Sequence, residues 1–199
     1  MGDQISNLNR DQSADHSRVQ ATIIASTIEK IDPFGRIAFL LQHNDSKDTV
    51  VRKGLFGLCR IARFASGAQR IMETPVLDYV VAKHFELPRW LQIDSCRLIA
   101  ELSSHETVLS KVLAVNSVPK LLQILRRGGY VSEVAHEALA ALCQICSWKL
   151  GAKAIFDTPG ALDAILQREV WSSTISDLQA KFLRNLAIHR PELDQGIQG

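Results

Sequence analysis

DSKDTVVRKGLFGLCRIARFASGAQRIMETPVLDYVV, residues 45–81, is the stretch whose apolar spacing is repeated further along the chain. Within it, residues 50–62 carry apolar side chains three and four positions apart, which predicts an amphipathic helix. The predicted buried face of this helix consists of Leu55, Leu58, Ile61 and Ala62. Because so short a unit cannot bury its apolar face alone, we expect it to pack against similar units.

Comparable apolar faces return three times later in the sequence. The equivalent positions of the four predicted long helices are separated by 41, 43 and 44 residues. These positions are Leu55, Cys96, Leu139 and Leu183. Steps of this size are typical of helical arrays in which each repeat contacts only its neighbours.

Two shorter predicted helices separate successive long ones. The first of each pair covers residues 68–72, 106–115 and 152–156. The second begins near a proline. Proline is favoured in the first turn of a helix because backbone N–H groups there have no intrahelical acceptor, so the lack of an N–H costs no hydrogen bond. These prolines are Pro33, Pro75, Pro119 and Pro159. The pattern therefore predicts repeats of three helices.

In this three-helix rhythm the sequence resembles the armadillo repeat family of the α-solenoid superfamily. The segments that carry the resemblance are GLFGLCRIA (54–62), NSVPKLL (116–122) and FLRNLA (182–187). The resemblance implies an all-α, right-handed α-solenoid of about four armadillo-like three-helix repeats with an N-terminal capping helix, predicted at 17–31. We expect a flexible polar tail at 1–16, a repeat domain at 17–190 and a C-terminal tail at 191–199. Two-helix HEAT-type pairing is the alternative.

Composition narrows the function classes. With 46% hydrophobic and 22% charged residues the chain has enough apolar material for a core, and its formal charge of +2 does not call for nucleic acid. All four cysteines lie on predicted apolar helix faces, which favours reduced thiols and an intracellular, most simply cytoplasmic, protein. No apolar run approaches the ~20 residues of a membrane span.

The resemblance implies that the third helices line a concave surface that binds another protein or peptide. In armadillo proteins that hold extended peptides, a Trp and an Asn recur on each third helix. Here the Trp positions hold charged residues, and only Asn185 occupies an Asn position. We therefore expect a partner segment to meet a mixed charged face. Its predicted residues are Lys53, Arg60, Asp94, Arg97, Glu101, Glu137, Gln144, Lys181, Arg184 and Asn185.

The first full repeat is locally basic, since no Asp or Glu occurs between Val51 and Ile71. Its cationic residues are Arg52, Lys53, Arg60, Arg63 and Arg70. Guanidinium groups suit bidentate contacts with carboxylates and phosphates, so an acidic or phosphorylated partner segment is expected here. The alternative is an ordinary solvated helix face.

Motifs for catalysis or metal binding are incomplete, so no catalytic residue, metal site or cofactor is assigned. Cys143 and Cys146 lack the second thiol pair of a zinc site, and core packing explains them better. A small-molecule or catalytic site in the groove is the alternative function. Its first candidates are Asp94, Glu101, His136, Glu137 and Cys143.

The N-terminus carries a candidate lipidation signal. Met1-Gly2 and Ser6 fit the pattern for myristoylation of Gly2, which would make the protein a membrane-tethered scaffold. Apolar surface after the last long helix would favour association with a second copy or a partner. Trp148 is expected to fill a seam between repeats.

Overall fold

The computed structural model describes residues 48–83, 88–127, 133–166 and 173–195, which all fall within one compact unit. These residues form helices and short turns, with no strand among them. The ten helices of the described ranges are α1 (Asp48–Ala62), α2 (Ala65–Met72), α3 (Val76–Lys83), α4 (Arg89–Ser103), α5 (Glu106–Ala114), α6 (Ser117–Arg127), α7 (Glu133–Ile145), α8 (Lys149–Phe156), α9 (Ala161–Leu166) and α10 (Ser173–Gln195). The predicted order of two short helices and one long helix is confirmed.

Backbone conformation explains two of the breaks between short helices. Asn116, between α5 and α6, has φ 59°, and Gly160, between α8 and α9, has φ 68°. Both lie in the left-handed region, where Gly has no Cβ to clash and Asn is the most tolerant of the other residues. One residue in this conformation ends a helix and turns the chain into the next.

Long helices stack on long helices in the order α1, α4, α7 and α10, and the α4–α7 interface is the most extensive. The first short helices form their own row, α2 against α5 and α5 against α8, while α9 packs on α6. Each row joins adjoining repeats, as expected for a solenoid.

The core confirms the repeat-equivalent position in three of the four long helices. Leu55, Cys96 and Leu139 are fully buried. The prediction for the fourth helix is wrong, because Phe182 is fully buried and Leu183 is 43% exposed. Helix α10 packs against α7 and α8, and no further described long helix covers its outer side, so positions that are enclosed in α7 remain open in α10.

Ile61 is the second exception, being 39% exposed although it was predicted to be buried. Leu102 and Ile145, at the same place in the next two repeats, are completely buried. Among the described elements α1 has a long neighbour on one side only, α4. The repeat pattern identifies Ile61 as a stacking position but does not reveal that no described long helix packs on that side of α1.

Side-chain hydrogen bonds close the seams between successive repeats. The indole Nε1–H of Trp148 donates to the carbonyl of Ser103 at 2.8 Å, and His105 Nε2 lies 2.7 Å from the carbonyl of Ala62. Both carbonyls belong to the last turn of a long helix, where no intrahelical donor remains. Trp148 thus occupies the predicted seam position.

Several predicted features lie outside the described residues: the N-terminal tail, the capping helix, the helix expected after Pro33, Gly2 and the last four residues of the C-terminal tail. Residues 191–195 of the predicted C-terminal tail belong to α10. No single helix within the described ranges is both long and apolar enough to cross a membrane, although α5 and α6 together would meet that test across a 68° bend.

Candidate functional site

A groove of about 520 Å³ crosses three successive long helices, and we call it the long-helix groove. Helix α1 and its C-terminal edge line one wall, α4 the middle and α7 the far side. Its lining residues are Phe56, Cys59, Arg60, Arg63, Asp94, Arg97, Glu101 and Glu137. Five of the ten residues predicted for the partner-binding face are among them.

Arg97 on α4 is the centre of the charge network in this groove. Its Nη2 lies 2.8 Å from Oε1 of Glu137 and 3.6 Å from Oε1 of Glu133, both on α7. Its Nη1 lies 3.4 Å from Oδ1 of Asp94, one turn earlier on the same helix. One guanidinium thus serves three carboxylates, and its hydrogen bond to Glu137 raises the pKa of Arg97.

Asp94 is the most enclosed carboxylate of the groove, with only 5% of its surface exposed. Burial raises the pKa of Asp94 because the charged form loses hydration, and the positive charges of Arg97 and Arg52 oppose that effect. Asp94 is therefore part of the groove's inner wall and is largely withdrawn from solvent.

The five cations of the predicted basic segment do not form one continuous patch, because they lie in different places and have different contacts. Arg63 donates from Nε to Glu101 of α4 at 3.0 Å, and Arg52 lies over the ring of Trp90, 5.9 Å from its centroid. Arg70 is exposed on the short helix α2. Lys53 and Arg60 remain, both exposed on α1, and neither forms an ion pair with another described residue.

The other five predicted site residues, Lys53 among them, are not part of the groove lining. Gln144 is half-buried on α7, while Lys181 and Arg184 are exposed on α10. Asn185 donates its side-chain amide to the carbonyl of Cys143 at 3.1 Å, so this amide joins α10 to α7. The one armadillo-type Asn position of this chain therefore has a structural role.

The cysteines that were considered for thiol chemistry have buried sulfur atoms. Burial raises the pKa of Cys143 and of Cys146 to about 12, and burial together with nearby carboxylates does the same for Cys59. Cys143 donates to the carbonyl of Leu178 at 3.1 Å. As predicted, both members of the Cys143/Cys146 pair pack in the core.

The other alternative candidate, His136, has its Nδ1 3.9 Å from Oε1 of Glu137. Within the described ranges, His, Cys, Asp and Glu side chains do not come together in a group of three that could hold a metal ion.

Two groove residues were not predicted from the sequence, the buried Cys59 and the exposed Phe56. Phe56 is the one that a ligand could reach. It is 58% exposed although its ring lines the groove. A signal was available: Phe56 follows Lys53 by three positions and precedes Arg60 by four, so it belongs to the same helical face. Its apolar character hid this, because large apolar side chains on a repeat helix are usually assigned to the core.

Comparisons with solved structures give a consistent fold. An engineered protein is 22% identical with a TM-score of 0.68, over 79% of this chain and 64% of that one. A designed armadillo repeat protein in complex with the peptide (KR)4 is 19% identical with a TM-score of 0.66, over 75% and 62%. Another designed armadillo repeat protein is 16% identical with a TM-score of 0.72, over 87% and 72%.

The chain thus spans less than two thirds of the length of two of these proteins. The sequence matches no family model, and no curated protein matches it significantly. At such low sequence identities, the structural similarity is evidence for the fold alone. Together with the stacked three-helix repeats, they show that this chain has the fold of an armadillo-like α-solenoid.

Proposed function

We infer that the protein is a non-catalytic binding scaffold whose long-helix groove holds an extended segment of another protein. One observation carries this proposal: the groove runs across α1, α4 and α7, and its wall carries the exposed ring of Phe56 and the guanidinium of Arg60, which has no ion-pair partner among the described residues. The complex of a designed armadillo repeat protein with a peptide supports a peptide as the class of ligand.

The charge of the partner segment follows from which groove residues are already paired. Arg97 is shared by Asp94, Glu133 and Glu137, and Glu101 has Arg63. Arg60 has no such partner among the described residues, and Lys53 stands two turns earlier on the same helix face. An acidic or phosphorylated segment would therefore complete the pairing, while a basic segment would have to displace existing ion pairs.

The test compares peptides of opposite charge by fluorescence anisotropy at low salt. We expect the labelled peptide (Gly-Glu)6 to bind and (Gly-Lys)6 not to bind. Arg60→Glu should weaken (Gly-Glu)6 about tenfold, or ~1.4 kcal/mol. Added salt should weaken it further because exposed charges are screened. Replacing one Glu by phosphoserine tells whether the groove prefers phosphate to carboxylate.

Lys111→Glu supplies the matched control, because Lys111 is exposed on the short helix α5 and not part of the groove lining. This charge reversal should leave (Gly-Glu)6 binding unchanged. Equal loss in both variants would mean that only net charge matters. Preference for (Gly-Lys)6, or unaltered binding to Arg60→Glu, would contradict the proposal.

A further inference from the structure

Two phenylalanines near the C-terminal half of α1 are largely exposed, but only one of them lines the groove. Phe56 is 58% exposed and faces the long-helix groove. Phe64 is 69% exposed, precedes α2 and is not part of the groove lining. An aromatic ring that water reaches inside a concave site is the kind of surface that becomes a binding anchor when a ligand covers it.

The surroundings of Phe56 distinguish it from a scattered surface residue. Lys53 lies three positions before it and Arg60 four positions after it, which places all three on one face of α1. Both cations lack an ion-pair partner among the described residues. On this face of α1 the apolar ring therefore lies between two cations, of which Arg60 lines the groove.

The opposite wall cannot provide a second apolar contact of this kind. On α4 and α7 the groove is lined by Asp94, Arg97, Glu101 and Glu137, all of them charged. Phe56 is thus the one large apolar side chain among the described residues that line this groove. An apolar group of a ligand has a single place to dock.

We propose that Phe56 and Arg60 form a two-part subsite, which selects partner segments with a bulky apolar side chain two residues away from an acidic one. This proposal rests on the proposed function and specifies its partner. Side chains four apart on a helix are about 6 Å apart at Cβ. An extended peptide advances about 3.3 Å per residue, so two residues span that distance. The apolar side chain covers the ring while the acidic group pairs with the guanidinium.

The experiment compares two variants of (Gly-Glu)6 in which one central Glu is replaced by Leu or by Gly, so that the flanking Glu side chains lie two residues from the replaced position and on the same face of an extended peptide. The Leu peptide should bind the native protein about fivefold more tightly than the Gly peptide, since covering an aromatic ring adds to the ionic contact. Phe56→Ala should abolish that gain and leave binding of the Gly peptide nearly unchanged. Phe56→Leu, which keeps an apolar surface, should retain part of the gain.

Phe64→Ala is the matched control, because it removes a ring outside the groove that is somewhat more exposed than Phe56. It should preserve the full gain from Leu. Loss of the gain in both variants, or no gain in the native protein, would overturn the subsite. That result differs from failure of the groove itself, which would appear as (Gly-Glu)6 binding that is absent or indifferent to Arg60→Glu. Far-UV circular dichroism confirms that each variant is folded.

Discussion

Arg97 on α4 directs both its Nε, at 3.1 Å, and its Nη2, at 2.8 Å, to a single carboxylate oxygen of Glu137 on α7. The pair bridges the largest helix interface of the described residues and also forms part of the groove wall. Packing of neighbouring repeats and the charge pattern offered to a ligand are therefore set by the same side chains.

Replacing Arg97 by Met should lower the free energy of unfolding by about 2 kcal/mol in urea titrations, because Asp94 and Glu137 would keep their charges without a cation. The control is Lys153→Met. Lys153 pairs with Asp157 at 2.9 Å on the surface, where both side chains are more than half exposed. That change should cost no more than about 0.5 kcal/mol. Equal losses would show that the Arg97 network does not stabilise the α4–α7 interface.

The raised pKa of Asp94 predicts a pH dependence of stability. In the folded state Asp94 binds its proton at a higher pH than its unfolded value of 3.8. Protonation therefore favours folding, and the contribution of Asp94 to stability falls as pH rises from 3.8 through the folded pKa. The stability of the native protein should thus decrease, relative to Asp94→Asn, as pH increases across that window. A difference that stays constant with pH, or changes in the opposite direction, would contradict the burial of a titrating carboxyl.

Two glycines should respond in opposite directions to substitution by Ala. A Cβ on Gly57, within α1, would meet no atom within 4 Å, so Gly57→Ala should stabilise the protein by about 0.5–1 kcal/mol. A Cβ on Gly151, within α8, would clash with the backbone carbonyl of Ile145, and Gly151→Ala should destabilise by about 2 kcal/mol. Thermal unfolding of both variants measures the contrast. Equal shifts would disprove the close approach of α8 to the end of α7.

The cysteines should react slowly in the native protein. Burial raises the pKa of Cys59, Cys143 and Cys146 to about 12, and it raises that of the fully buried Cys96 as well. At pH 8 few thiolates are present, and the thiolate is the nucleophile. We expect little release of thionitrobenzoate from Ellman's reagent until urea unfolds the chain, when four thiols should react. Rapid reaction of even one thiol without denaturant would show that its helix face is open.

Helix order and most of the core could be predicted because they follow from apolar spacing alone. The three-helix repeat and the burial of Leu55, Cys96 and Leu139 needed no knowledge of the neighbouring helices. Ile61 and Leu183 could not be placed correctly, since their exposure depends on whether a further helix covers them. Periodicity identifies the face of a helix that can stack, but it does not show whether another helix packs on that face.

The sequence predicted which positions of the long helices line the groove, but it did not predict which ion pairs these residues form. Repeat spacing placed Arg60, Arg97 and Glu101 on the long helices that line the groove. It could not show that Arg97 binds carboxylates of two helices, or that Asp94 is enclosed. Those facts depend on distances between helices about 40 residues apart, which a sequence pattern does not contain.

Every extensive helix contact described above joins elements of the same or adjoining repeats. A chain connected in this way can lose structure from an end without losing all of it, because detaching α10 removes its contacts with α7 and α8 and leaves the α4–α7 pair intact. Local opening should then be graded along the array, with amide hydrogens in α4 and α7 exchanging last. Partial unfolding of such a molecule would begin at the outer helices of the described array, while the central pair α4 and α7 keeps its structure.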